Sequence, residues 1–167
     1  MSAVYAFGGN SLFDAAAILL SYIGTFKAVA IIIGIFLMTK KETRHIAYIL
    51  FAAVLLSGII VWIVKEITER PRPFIELGIA EADILIHTNP YRSFPSGHTT
   101  TAFTTATVIG YYFRKWLIPA AIVACIAGLA RIYLLVHYPS DVIVGAAIGI
   151  GTALAVILIV EKLKVKN

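Results

Sequence analysis

Long apolar runs separated by short polar clusters dominate this chain. They fall at residues 22–38, 46–64, 102–113, 116–136 and 142–160, and the longer ones approach the roughly 20 residues a helix needs to cross a bilayer. The third run begins in a Thr-rich stretch opened by His98. Thr hydroxyls bond back to the carbonyl one turn earlier, so this helix can satisfy its own polar groups and counts as a span. Residues 11–21 are also apolar, with Asp14 near their start, and are too short to cross. They predict an interfacial or half-buried helix. The expected fold is therefore all-α: a polytopic membrane helical bundle of about five transmembrane helices plus the N-terminal helix. This six-helix core is expected to form one integral-membrane domain over residues 1–167.

Composition supports that class. Hydrophobic residues make up 60% of the chain and charged residues 14%, against roughly 25% charged in soluble domains, and the mean hydropathy is +0.91. The net charge of +5 has a topological reading. Lys40, Lys41 and Arg44 flank one turn, Arg114 and Lys115 a second, and Lys162, Lys164 and Lys166 form the tail. If the five spans alternate, all three groups share a side, and the excess of Lys and Arg in cytoplasmic loops places that side and the C-terminus in the cytoplasm. A multi-pass protein of the cell membrane is expected, with the remaining loops extracytoplasmic. No basic face is left for nucleic acid. The first ten residues lack the basic and apolar regions of a cleavable leader. Cys125, the single cysteine, lies in mid-span and is expected to serve helix packing. Gly145 and Gly149 form a small-xxx-small pattern, read first as close helix contact within the bundle and second as a dimer face, which leaves a homo-oligomer open.

Polar chemistry collects at the other ends of the spans, in three segments. In KEITERPRP, Lys65 and Arg72 stand about two helical turns apart, so one helix face can carry both. Pro71 and Pro73 limit that helix, and a residue before proline leans toward extended geometry. Arg72 is therefore expected where the helix has unwound, its fork free to turn toward an anion. Arg70 and Arg92 are expected to be bystanders, and snorkelling at a helix end explains this segment equally well by itself. In SFPSGHTTTAF, Ser96 is a natural N-cap, and a helix starting near Gly97 and His98 leaves backbone N–H groups free for an anion. Gly97 has no side chain to block close approach, Ser96 can donate its hydroxyl, and His98 stands in the first turn. The plainer reading is a capped helix with a surface histidine.

In RIYLLVHYPSD, Arg131 closes a span, His137 ends it, Pro139 forces a turn, and Asp141 falls in the first turn of the last helix. A carboxylate accepting from one ring nitrogen of His137 leaves the other with its lone pair toward the site, as nucleophile or base. A structural His–Asp hydrogen bond is the ordinary reading of that pair alone. Taken together the segments argue for more. Each unpaired cation costs roughly 2.5 to 3.5 kcal/mol at the bilayer centre, and three cations, two histidines and a carboxylate converging on one phosphoryl group account for all of them. No cluster of carboxylates, His or Cys is spaced as metal ligands, so neither a metal nor another cofactor is expected.

These segments read K-x6-R-P, P-S-G-H and R-x5-H-x3-D, in that order. The chain resembles the type 2 phosphatidic acid phosphatase superfamily, which includes integral-membrane lipid phosphatases and soluble vanadium haloperoxidases. The likeness covers residues 65–141, with flanking spans that fit a six-helix plan. It departs at Ala130, where the family often has Ser, which removes one hydrogen bond but no member of the catalytic set. The resemblance implies that His137 attacks phosphorus to give a phosphohistidine while Asp141 supports its ring. His98 would protonate the leaving oxygen and then activate water, and Lys65, Arg72, Arg131, Ser96 and the Gly97 N–H would bind the phosphate.

The implied substrate is a lipid phosphate or diphosphate met at the outer membrane interface. A polyprenyl (undecaprenyl-type) diphosphate leads by family analogy, with phosphatidylglycerophosphate and phosphatidic acid as alternatives. Residues 74–94 form the longest outer loop, and IAEADILI within it reads either as a membrane-lying rim or as a plain connector. A transporter would carry its ionisable residues in mid-span rather than at one edge. A vanadate peroxidase would share the anion site, but a soluble bundle is incompatible with this hydropathy.

Overall fold

The computed structural model describes residues 11–23, 25–38, 41–80, 84–86 and 88–165. The chain forms α1 (Ser11–Ile23), α2 (Phe26–Met38), α3 (Arg44–Thr68), a short α4 (Pro73–Glu76), α5 (Gly97–Tyr112), α6 (Leu117–Tyr133) and α7 (Pro139–Val165). No strand occurs among the described residues. The first ten residues, where no leader is expected, and residues 81–83 of the IAEADILI segment lie outside them.

Helices α3, α6 and α7 each belong to a stretch long and apolar enough to cross a bilayer. Exposed Leu55, Trp62, Ile118, Ile143 and Leu158 give the bundle an apolar outer surface, as a membrane protein requires. Helix α5 has 16 residues. The N-terminal segment forms a helix of its own, α1, ahead of α2 in the first expected span; the two meet at 50° and reach span length together. Thr25 marks the break. Its hydroxyl donates to the Tyr22 carbonyl at 2.7 Å and accepts from the Ala28 N–H at 3.2 Å, capping α2 where a continuous helix would have used a backbone carbonyl.

The Thr-rich helix α5 lies at the centre, packed on α7, α6 and α3. Its hydroxyls are consumed internally: Thr100 donates to Ser96 O, Thr104 to Thr100 O, Thr105 to Thr101 O and Thr107 to Phe103 O, at 2.7 to 2.9 Å. Polar side chains thereby become a nearly apolar surface. Helix α7 approaches this surface through its glycines. A Cβ on Gly145 would stand 2.7 Å from Ser96 O, and one on Gly149 would run into the backbone of Thr100 and Thr104. The small-xxx-small pattern thus serves contact inside the bundle. That approach also sets Asp141, one turn earlier on α7, beside the start of α5, where its carbonyl accepts from the Ser96 N–H at 3.0 Å.

Helix α6 turns a stripe of Ala124, Ala127, Gly128 and Arg131 inward. Cys125 falls off that stripe and is exposed, so it does not serve the helix packing expected of it. At one end of the bundle, Phe36 stacks on Phe113, His45 meets Tyr112 edge-on, and the Tyr112 hydroxyl donates to Glu161 at 2.7 Å. At the other end, the last turns of α3 and α6 and the first turns of α5 and α7 bring the three polar segments together.

Candidate active site

Helix α3 stops where Glu69 takes a left-handed conformation, φ 41°, and residues 70–72 are hydrogen-bonded to residues 90–93. Arg72 N–H donates to Pro90 O at 2.8 Å and Ser93 N–H to Arg70 O at 3.0 Å. Arg72 has φ −83° and ψ 157°, as its place before Pro73 predicts. It is 5% exposed. Its Nε donates to Asn89 O at 2.6 Å, Nη2 to Arg92 O at 3.1 Å, and Nη1 to Val136 O at 2.5 Å. Lys65 Nζ donates to the same Arg92 carbonyl at 2.6 Å and to Ser93 O at 3.3 Å.

The PSGH segment caps α5 as its sequence predicts. Ser96 is fully buried, and its Oγ accepts from Thr99 Oγ1 at 2.9 Å and from Thr99 N–H at 3.4 Å, which leaves its own proton to donate elsewhere. A Cβ at Gly97 would meet only Val61 at 3.6 Å, ordinary contact. Protein packing therefore does not demand glycine there, whereas an anion approaching the helix N-terminus would. His98 is half-buried in the first turn, within coulombic reach of Arg131, Arg72 and Lys65.

Between α6 and α7 the chain reverses through Leu135, a non-glycine at φ 56°, a backbone conformation that costs of order 1 kcal/mol or more. The reversal turns His137 inward, 3% exposed. Arg72 Nη1 lies 3.3 Å from His137 Nε2, and because a guanidinium can only donate, Nε2 must carry the lone pair and Nδ1 the proton. Nδ1 faces Asp141 Oδ2 at 3.5 Å, beyond hydrogen-bond length, and has no other partner. Burial, reinforced by the charges of Arg72, Arg131 and Lys65 and opposed by Asp141, holds His137 well below the usual histidine range. The imidazole is neutral, with Nε2 available. Arg131, 2% exposed, donates from Nη1 to Ser21 Oγ, while its buried Nε has no partner among the described residues.

All eight expected site residues therefore meet at one end of the bundle. Three further groups join them. Arg70, expected to be a bystander, holds Asp141 Oδ1 and Ser140 Oγ at 2.7 and 2.8 Å and lies 4.0 Å over the Tyr138 ring. The Arg92 guanidinium stays at the surface, paired with Glu66 at 2.8 Å, while its backbone carbonyl holds both Lys65 and Arg72. Ser93, fully buried, donates to Asp141 Oδ2 at 2.5 Å, and the Tyr138 N–H donates to the same oxygen at 2.9 Å. Arg70 and Ser93 adjoin recognisable motifs, so proximity in sequence could have flagged them. Ser21 could not be found that way, because it sits far from every motif. Among the described residues no group of three His, Cys, Asp or Glu is arranged to hold a metal.

Buried cations, a helix N-terminus and a buried histidine thus gather at one end of an apolar helical bundle. The profile of the PAP2 superfamily matches residues 46–164, and the chain belongs to that family. It is similar to the crystal structure of Aquifex aeolicus LpxE, at 31% identity and a TM-score of 0.76, with 89% of this chain and 87% of that one covered. It is 30% identical over 116 residues to a lipid A 1-phosphatase of Rhizobium etli, covering 66% of this chain and 50% of that protein. It is 26% identical over 136 residues to the undecaprenyl-diphosphatase BcrC of Bacillus subtilis, covering 80% and 68%. The chain spans about half the length of the lipid A 1-phosphatases it matches.

Proposed function

We propose that this protein is a membrane lipid phosphatase that cleaves a phosphate ester or anhydride through a phosphohistidine on His137. One observation carries the reading: Lys65, Arg72 and Arg131 are held by carbonyl and hydroxyl oxygens, and among the described residues none of the three is ion-paired to a carboxylate. Buried charge left unneutralised by the protein is strongly unfavourable unless an anion completes the site.

In this mechanism Nε2 of His137 attacks phosphorus in line with the leaving oxygen. The three cations, the Ser96 hydroxyl and the Gly97 N–H stabilise the charge on the equatorial oxygens. Such electrostatic stabilisation is the largest contribution to be expected for phosphoryl transfer. His98 protonates the departing oxygen, then takes a proton from the water that cleaves the phosphohistidine. Asp141, braced by Arg70, Ser93 and the Tyr138 N–H, keeps the Nδ1 proton of His137 facing it and supports the cationic ring that forms on attack.

Two features favour a lipid substrate. The polar segments lie at helix ends beside apolar outer surface, and an apolar cavity of about 460 Å³ between α2, α5 and α6, lined by Ile32, Phe36, Ala102, Ala106 and Val123, offers room for a hydrocarbon tail. A polyprenyl diphosphate is the substrate we favour, in line with the name of the Bacillus subtilis relative, and phosphatidylglycerophosphate and phosphatidic acid are the alternatives. The site end is assigned to the extracytoplasmic face because Lys41, Arg44, Arg114, Lys115, Lys162 and Lys164 lie at helix ends away from it.

The test is phosphate release by protein in detergent with EDTA, comparing undecaprenyl diphosphate, phosphatidylglycerophosphate and phosphatidic acid, with acid-labile phosphoprotein measured in parallel. Fastest release from the diphosphate, with label that disappears in His137→Ala, is expected. Equal release by His137→Ala would remove the mechanism.

A further inference from the structure

Among the described residues, Arg131 is the one site cation whose partner comes from the N-terminal helix. Its guanidinium donates to the hydroxyl of Ser21 on α1, which is 3% exposed and precedes the matched family region, residues 46–164. The helix carrying Ser21 is itself fastened to α6. Tyr133 donates its hydroxyl to Asp14 at 2.8 Å, two turns before Ser21, and Ala17 packs with Ala130, Leu134 and Val136 in a small buried cluster. Ile86, from the outer loop, closes on the same cluster. Two polar contacts and an apolar one thus fix α1 against the turn of α6 that bears Arg131.

Why the arginine needs this hold follows from its surroundings. A guanidinium on a flexible stem, facing Arg72 and the other site cations, is repelled from the place where an anion would bind and has many rotamers into which it can retreat. The Ser21 hydroxyl accepts from one end of the fork, leaving the partnerless, buried Nε to serve an anion. Among the described contacts, Ser21 is what fixes the rotation of that fork.

We infer that Ser21 is a positioning residue for Arg131, so that α1, through one hydroxyl, is a working part of the anion site and not only a packing helix. The inference builds on the phosphatase reading above, and its experiment separates the two. Phosphate release is measured for the wild type, Ser21→Ala, Ser21→Thr, Arg131→Ala and the Ser21→Ala, Arg131→Ala double variant, together with binding of orthovanadate followed by calorimetry. Ser21→Ala should lower kcat about tenfold while KM changes less than about twofold, the pattern of a contact that matters in the transition state, and it should weaken vanadate binding by a similar factor. Ser21→Thr keeps the hydroxyl and should restore both. In the Arg131→Ala background, removing the Ser21 hydroxyl should cost nothing further.

Additive losses in the double variant, or wild-type turnover and vanadate affinity in Ser21→Ala, would overturn the inference. Should Ser21→Ala fail to fold, Ser21→Cys keeps the volume with a sulfur that accepts poorly, and the same results are expected of it. A wild type that releases no phosphate from any lipid would overturn the phosphatase reading alone, because the vanadate cycle still decides whether Ser21 acts through Arg131.

Discussion

The two ends of this bundle use the same basic residues in opposite ways. At the end carrying Tyr112 and Glu161, Lys164 is 46% exposed and pairs with Glu161 at 3.1 Å, and Arg44 reaches the Leu37 carbonyl at the surface. At the other end Arg72 and Arg131 are 5% and 2% exposed and meet no carboxylate among the described residues. Where water and counterions screen a charge, its contribution to stability is small, and its position instructs membrane insertion. Where protein and hydrocarbon surround it, the charge is costly, and carbonyl oxygens hold it without cancelling it. At the site end Arg72 and Arg131 thus keep charge that no carboxylate cancels among the described residues, whereas Lys164 at the opposite end is paired.

The most forceful way to break this contrast is to remove the proposed nucleophile. His137→Ala should lower phosphate release by at least about 10⁴-fold, whereas Lys164→Ala at the far end should leave kcat/KM unchanged; a comparable loss from both would erase the distinction. Next comes the arginine that binds three carbonyls. Arg72→Ala should cost about 10² to 10³ in kcat and lower the melting temperature, because Asn89, Arg92 and Val136 would each lose a buried donor. Arg72→Lys should recover little of this, since a point charge cannot reproduce a planar fork.

Smaller effects sharpen the comparison. Arg70→Ala takes the guanidinium from Oδ1 of Asp141, and Ser93→Ala leaves Oδ2 with the Tyr138 N–H alone of its two donors; a roughly tenfold fall in kcat for either is expected, and no fall in either would mean that Asp141 needs no bracing. The pH dependence of stability supplies a further test. His137 titrates lower in the folded protein than in the unfolded chain, so the unfolded state binds the extra proton and stability falls as pH drops below the ordinary histidine value of about 6.5. Melting in detergent between pH 7 and 5 should show a shallower decline for His137→Asn than for the wild type, and vanadate, by adding negative charge, should diminish the difference. Least of all, Tyr112→Phe removes the hydrogen bond to Glu161 and should leave kcat unchanged, as phosphate release will show.

Much of this was legible in the chain because it depends on local chemistry. The pre-proline position of Arg72 determined its extended backbone, Ser96 and Gly97 determined where α5 starts, and the threonines of α5 found the carbonyls one turn back. Expectations failed where the partner lay far away. Arg70 looked like a spare charge because nothing nearby in sequence says that Asp141 will fold against it. Cys125 was misplaced because an all-apolar stretch does not reveal which of its faces turns inward. Hydropathy set the N-terminal helix apart from the first span, but it does not show that the two meet at 50° across Thr25.

Sequence alone determined the membrane class, the start of α5, the candidate residues for an anion site, and the gathering of Lys and Arg at the opposite helix ends. These follow from short-range rules: hydropathy over a span's length, capping, proline geometry and motif spacing. Only the tertiary structure decided how the set is held: which carbonyls bear the cations, which tautomer His137 takes, what braces Asp141, and that a serine on α1 grips Arg131. Each of those depends on groups brought within about 3 Å by helix packing, and packing distance is not a function of distance along the chain.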